Sequence, residues 1–367
     1  MTKSTRIAIS TGGGDAPGLN AVIRAAVLAC AHRGWEIVGI RDGFNGLMTP
    51  ERYPEGGLVP LTRESVRHIT SQGGTILGTT NRGNPLKFPV KKPDGSVEIV
   101  DRGDELVGLF AKNGIDALIS CGGDGSLGIA NVLHQRGLRV VGVPKTIDND
   151  LDGTVITFGF DTAVSFATEC LDRLHSTAAS HGRILVVEVM GRYAGWIALN
   201  AGIAGSAHAI LIPEVPYDIA KVAAHMGKRA GLGRRYSIVV VAEGAKPIDG
   251  DVSVVEKRVD ATERLGGAGQ RVASALEEMT GQETRAVVLG HLLRGGSPTA
   301  FDRLLSLRFG SAAVRALDEG QSGVMVALDP PTVKYVPLAE ATHRMKVVPP
   351  DSDSILTARD LDISLGD

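Results

Sequence analysis

The sequence predicts an α/β protein in which parallel strands alternate with helices. Two observations carry that expectation. Short apolar runs recur along the chain, and most are followed by a glycine-rich turn and then by residues with helical spacing. The polar residues with chemical potential collect in the turns that leave the carboxyl ends of these runs, where open α/β sheets bind ligands. The clearest unit spans residues 115–153: a strand over 115–120, the turn GGDGS at 122–126, a helix over 127–135, a second strand over 138–143, and a carboxylate-rich loop, PKTIDND, at 144–150. Strand, helix, strand at this spacing is a βαβ unit.

The rest of the chain follows the same alternation. Residues 6–10 read as a strand, TGGGDAPGLN at 11–20 as a loop, and 21–31 as an alanine-rich helix; 35–40 is the next strand and 41–48 a glycine-containing loop. The first loop lacks the G-x-G-x-x-G spacing of a dinucleotide site, and Glu36 comes too early for a ribose carboxylate. Residues 83–105 are polar and loop-rich, with a hairpin expected around Pro93-Asp94-Gly95. A helix is expected over 160–174, strands over 184–189, 208–212 and 236–242, and a small-residue helix over 193–204. Residues 245–269 read as a long charged linker. A strand over 285–289, a helix over 301–317 and a strand over 324–328 complete the pattern, and residues 342–367 carry no assignable period.

Composition bounds the function classes. The chain has 367 residues, enough for two domains, with 43% hydrophobic and 22% charged residues. A formal net charge of -2 points to neither nucleic acid nor an anionic membrane, and no apolar run is long enough to span a bilayer. The opening residues run straight into a strand pattern, so no secretory leader is expected. Cys30, Cys121 and Cys170 are odd in number and lack metal spacing, which reads as buried thiols in a reducing cytoplasm.

The chemistry of two loops is complementary. Gly122, Gly123 and Gly125 let backbone N–H groups approach phosphate oxygens, and Asp124 suits a hard cation beside them. Lys145, Thr146, Asp148 and Asp150 supply a cation and carboxylates, the residue types that phosphoryl transfer requires.

The strings GGDAPGLN, GGDGS, PKTIDND, VVEVMGR and VLGHLLRGGSP, in this order, resemble the phosphofructokinase family. The resemblance runs from Arg6 to about Leu328. It implies two three-layer, Rossmann-like α/β domains with mainly parallel sheets and an active site in the cleft between them. The first domain would hold residues 1–146 plus about 281–320, the second about 147–280 plus 321–367. It implies transfer of the γ-phosphate of ATP to the 1-hydroxyl of fructose 6-phosphate, the committed step of glycolysis, with Mg²⁺. Pyrophosphate as donor is the alternative, and a non-catalytic sugar-phosphate or nucleotide sensor the second alternative. A kinase of the NAD-kinase or lipid-kinase type would not need the VMGR and GHLLRGGSP strings.

Carried over by motif, Asp148 resembles the general base, acting with Lys145 and Arg192. Asp124 would bind Mg²⁺, with Asp150 assisting. Gly13, Arg82 and Gly123, Asp124, Gly125 and Ser126 would contact the donor. Thr146, Ile147, Asp148, Met190, Gly191, Arg192 and Glu243 would hold the sugar phosphate, and Arg183, Arg285, His291 and Arg294 would surround its 6-phosphate. Arg183 and Arg285 would reach over from a neighbouring subunit, so a homodimer or homotetramer with shared sites is implied. Gly125 and Lys145 bear on donor choice in opposite senses: a missing side chain leaves room for a nucleotide, whereas lysine occurs in pyrophosphate users. Leu28 and His175 stand where allosteric relatives carry arginines, which argues against control by ADP or phosphoenolpyruvate.

Overall fold

The computed structural model describes residues 4–81, 83–252, 254–256 and 264–367. The chain divides into two compact units, one of Met1–Thr146, Leu151–Gly159 and Arg294–Met345, the other of Ile147–Asp150, Phe160–Leu293 and Lys346–Asp367. Both units are discontinuous. The expected boundaries shift in three places: Leu151–Gly159 joins the first unit, where Val155 N–H donates to Leu328 O at 3.2 Å, and two further shifts follow from strand pairing. Thr284–Val288 hydrogen-bonds along Ile184–Val189, which carries residues 281–293 into the second unit. Val324–Asp329 pairs with Val140–Pro144, which carries residues 321–345 into the first.

The first unit is built on a seven-stranded sheet. Its parallel centre runs Val324–Asp329, Val140–Pro144, Ala117–Gly122, Arg6–Thr11, Glu36–Ile40. Thr332–Pro337 and Leu58–Leu61 close the two edges antiparallel. The central strands are buried on both faces, which is why they read as unbroken apolar runs. Alternate residues feed two cores. Ile7, Ile9, Ile119 and Val141 pack with Leu19, Val22, Phe309 and Ala313 from helices Leu19–His32 and Ala300–Asp318. Ala8, Leu118 and Val140 pack with Leu106, Phe110, Leu127 and Ala130 from helices Gly103–Lys112 and Asp124–Gln135. Three layers result.

One consequence of this winding sets the site. Arg6–Thr11 leads into a helix on one face, and its neighbour Ala117–Gly122 leads into a helix on the other. Two adjacent parallel strands whose crossovers diverge open a crevice at their carboxyl ends.

The second unit has a four-stranded, fully parallel sheet in the order Thr284–Val288, Ile184–Val189, Ser237–Ala242, Ala209–Leu211. Ile184, Val186, Val239 and Val241 pack against Val222, Met226, Val272 and Leu276 of helices Ile219–Gly231 and Ala268–Thr280. Helices Phe160–His181 and Trp196–Ala204 also pack on this sheet.

Several elements differ from the sequence reading. Phe160–His181 runs seven residues past the expected end, because its last turns, HSTAASH, are small and polar and break the apolar period without breaking the helix. Ala268–Thr280 starts where a linker was expected to end. The Pro93-Asp94-Gly95 hairpin forms as expected, between Phe88–Lys91 and Val97–Val100, with the Asp94 carboxylate accepting the Ser96 N–H at 2.9 Å. The unassigned tail contains helix Asp353–Asp360, and Ser364 pairs beside Ala209 at the edge of the second sheet. Cys30 and Cys121 are buried and Cys170 is half-buried. Among the described residues no helix is long and apolar enough to cross a membrane.

Candidate active site

In the first unit, the crevice is lined mainly by backbone. The two glycine loops leave neighbouring strands and are tied together, with Gly12 N–H donating to Cys121 O at 2.9 Å and Lys145 N–H to Gly122 O at 2.9 Å. Their closeness requires glycine: a Cβ on Gly122 would lie 2.2 Å from Ser126 Cβ, and one on Gly12 would lie 2.8 Å from Ser126 Oγ. Gly13 sits at φ +76°, a left-handed conformation that glycine adopts without strain. The Thr79 hydroxyl holds it there, donating to Gly13 O at 2.6 Å, and Gly13 N–H donates to Thr80 O at 3.2 Å.

Helix Asp124–Gln135 starts from this crevice with Gly123 as an N-cap that offers no side-chain acceptor. The amino end of this helix faces the crevice, and the helix dipole there favours an anion. Asp124 and Gly125 are exposed there. A Cβ on Gly125 would meet no protein atom within 4 Å, so the space above it is open.

Lys145 is 3% exposed, and its ammonium donates to the Gly14 carbonyl. The Nζ lies 3.5 Å from where a Gly13 Cβ would be, at the floor of the cradle. A buried ammonium needs partners, and backbone carbonyls supply one. Burial pushes the neighbouring Cys121 thiol up to about 12, with the Lys145 charge opposing, so this thiol stays protonated. Arg294 also belongs here: its guanidinium packs on Gly14 and donates to Asp15 O at 3.1 Å. The resemblance groups Arg294 with the 6-phosphate arginines; in the structure it also braces the first glycine loop. Thr146 is buried, and its carbonyl accepts from the Thr157 hydroxyl at 2.7 Å.

In the second unit, three adjacent strands deliver side chains at their carboxyl ends. Met190, Gly191 and Arg192 follow Ile184–Val189, Glu243 follows Ser237–Ala242, and His291 lies beyond Thr284–Val288. The loops are knitted together: Leu289 N–H donates to Glu188 O at 3.0 Å, Glu243 N–H to Val189 O at 2.9 Å and Gly244 N–H to Gly191 O at 3.0 Å. The Arg192 guanidinium lies 5.6 Å from the centroid of the Tyr193 ring. His291 is exposed. Asp148 and Asp150 sit in the loop Ile147–Asp150, which belongs to this unit. Ile147 is fully buried.

Arg183 and Arg285 are elsewhere. Arg183 precedes Ile184, and Arg285 pairs with Leu185, so both stand at the amino-terminal edge of the sheet. They share one carboxylate: Arg183 Nε and Arg285 Nη2 each lie 2.6 Å from a Glu283 oxygen. A strand of this length spans about 20 Å. Within one chain, then, these two arginines do not meet the ligand that Met190, Arg192 and His291 would meet. Arg82 lies outside the described residues.

Sequence reasoning missed the braces. Thr79, which fixes Gly13, lies in a segment noted only for Arg82, and a lone threonine there carries no motif.

A glycine-lined phosphate cradle at the switch point of a parallel sheet, with a second parallel sheet presenting arginine, histidine and carboxylate from its strand ends, defines an α/β phosphotransferase. The sequence matches the phosphofructokinase family model over residues 6–317, and the chain belongs to the phosphofructokinase family. It is 50% identical to an ATP-dependent 6-phosphofructokinase of Chloroflexus aurantiacus, over all of this chain and 99% of that one. It is also 50% identical to a pyrophosphate–fructose 6-phosphate 1-phosphotransferase of Amycolatopsis methanolica, over 94% of this chain and 97% of that one. Among solved structures, phosphofructokinase from Saccharomyces cerevisiae superposes with a TM-score of 0.78 at 32% identity, covering 98% of this chain and 47% of the yeast chain. The chain thus spans about half the length of that yeast relative.

Proposed function

We propose that this protein is an ATP-dependent 6-phosphofructokinase that transfers the γ-phosphate of ATP to the 1-hydroxyl of D-fructose 6-phosphate. The observation that carries the donor is the open space at Gly125, in the first turn of the helix, where a Cβ would meet no protein atom within 4 Å. That space accommodates the α-phosphate and ribose that distinguish ATP from pyrophosphate. Gly123 to Ser126 hold the phosphates through backbone N–H groups, and Gly13, whose own N–H is taken by Thr80 O, lines the cradle beside them. Met190, Gly191, Arg192, Glu243, Thr146, His291 and Arg294 bind the sugar phosphate, and Asp148 takes the proton from the attacking hydroxyl.

The residues fit Mg²⁺ of the kind that phosphates and water largely hold. Asp124 is exposed beside the cradle, and the buried Oδ1 of Asp150 has no hydrogen-bond partner. Among the described residues no group of three or more His, Cys, Asp or Glu forms a protein cage, the usual situation for Mg²⁺ at phosphates. The cation would neutralise charge on the moving phosphoryl group.

Two further parts belong to this reading. Arg183 and Arg285, at the edge of the sheet remote from their own chain's loops, serve the 6-phosphate of a second copy, so the enzyme is a homo-oligomer with shared sites. The buried thiols fit a reducing compartment, and we assign the enzyme to the cytoplasm.

Lys145 supports a second reading, pyrophosphate as donor, since its ammonium lies at the cradle floor and an equally similar relative bears that name. The test is an assay coupled to fructose 1,6-bisphosphate with each donor in turn. Turnover with MgATP and little with pyrophosphate is expected. A preference for pyrophosphate would replace the first reading by the second, and no product with either donor would leave the sensor.

A further inference from the structure

The loop that carries Asp148 and Asp150 is held by the carboxyl-terminal tail, and the hold is centred on one residue. Asn149 lies between the two aspartates at φ +53°, 5% exposed. Asparagine tolerates this left-handed turn better than most residues, but the conformation still needs support from its surroundings. Lys346 supplies support at two points: its ammonium donates to Asn149 Oδ1 at 3.0 Å, and its backbone N–H donates to Asp150 O at 2.9 Å.

Lys346 is itself fixed. The Trp196 indole N–H donates to Lys346 O at 3.1 Å, and the same ring lies 5.6 Å from the ammonium. Two residues on, Val348 N–H donates to Glu214 at 2.8 Å, and the same carboxylate accepts Gly195 N–H at 3.0 Å. Burial pushes the Glu214 carboxyl up, and these backbone donors offset part of the rise. The chain of contacts therefore runs from Glu214, through Gly195 and Trp196, to Lys346 and the aspartate loop. All of it lies inside the second unit.

We infer that Lys346 is a positioning residue for the phosphoryl transfer: it fixes the Asn149 turn and thereby aims Asp148. This rests on the reading of Asp148 as the base. Its effect should appear in turnover more than in sugar-phosphate binding, because most of the residues that bind the sugar phosphate, Met190 to Arg192, Glu243 and His291, stand on other strand ends. A small misplacement of a reacting group is enough to cost turnover heavily.

The experiment compares wild type with Lys346→Met, Lys346→Arg and Trp196→Phe in the full chain. Lys346→Met should lower kcat by about 10- to 100-fold with KM for fructose 6-phosphate changed less than about threefold. Lys346→Arg, which restores a cation and donor, should recover most of kcat. Trp196→Phe should show a smaller fall, since it removes only the indole donor. Hydrogen exchange without substrates is the independent readout, and backbone amides over residues 147–150 and 346 should exchange about tenfold faster in Lys346→Met. An inactive wild type would overturn the reading of the function and leave the exchange result to judge the positioning. Unchanged exchange, kcat within twofold of wild type in Lys346→Met, or a loss that Lys346→Arg does not repair would overturn the inference. Should Lys346→Met fail to fold, an unchanged kcat in Trp196→Phe would do the same.

Discussion

In the seven-stranded unit the chemistry at the strand ends is mostly backbone: at Gly12 and Gly122 the two loops approach Ser126 so closely that a Cβ on either would clash. In the four-stranded unit it is mostly side chains, with Met190, Arg192, Glu243 and His291 presented by loops that hydrogen-bond to one another. The first arrangement is set mainly by consecutive residues after two paired strands, with Thr79 and Arg294 bracing the first loop. The second depends on segments far apart in sequence, among them a tail 197 residues from Asn149, which its Lys346 holds. Backbone suits the recognition of phosphate by any nucleotide, and side chains suit selection of one sugar and movement of one proton.

The strongest way to break this comparison is to remove a side chain from the unit that depends on side chains. Asp148→Ser should lower kcat by roughly 10²–10⁴ with sugar-phosphate binding nearly intact. Near-normal turnover at pH 7 would show that Asp148 is no base.

Adding a side chain to the unit that depends on backbone should come next. A Cβ at Gly125 meets no protein atom within 4 Å, so Gly125→Asp leaves the fold intact and acts on the donor alone. The expected result is a fall of about 10² in kcat/KM for ATP, from overlap and like-charge repulsion, with little change in Tm. An unchanged ATP profile would mean that the nucleotide does not use this space.

Mixing inactive chains tests the edge that neither set of loops uses. Asp148→Ser and Arg285→Ala lack different halves of a shared site, so random exchange in a two-fold oligomer should restore about a quarter of wild-type activity. Proven exchange without recovery would confine each site to one chain.

The smallest effect concerns how the second unit holds together. His208 packs edge-on against His175 and Tyr236, and its Nδ1 accepts the Ile238 N–H at 2.8 Å. Burial, and then the Arg229 charge, push its pKa from 6.5 down to about 3. A lowered pKa means that the unfolded chain binds the extra proton first. Stability from this group is thus complete above pH 6.5 and is lost as pH falls towards about 3. His208→Asn, which keeps an acceptor for Ile238 and removes the titration, should flatten the fall in Tm over that range. An identical acid profile in the two proteins would assign the loss to other groups.

The glycine strings, the parallel strands and the loop that carries Asp148 were legible in the sequence, because each is set by residues that are neighbours in the chain. A buried parallel strand must be apolar along its whole length, and a close turn must be glycine, so both constraints are written locally. What only the tertiary structure decided is which distant segments meet. Arg294 carries a motif that resembles a 6-phosphate ligand, and its packing on Gly14 is not written in that motif: it follows from the chain crossing back into the first unit at that residue. Arg183 and Arg285 stand at the far edge of their sheet because the register pairs Thr284 with Ile184. Lys346 lies in a stretch without period or motif, and its contact with Asn149 depends on a strand-end carboxylate and a helix start that bind the tail. Periodicity records which face an element buries; it does not record its partner, since many partners satisfy the same apolar face and one three-dimensional packing selects among them.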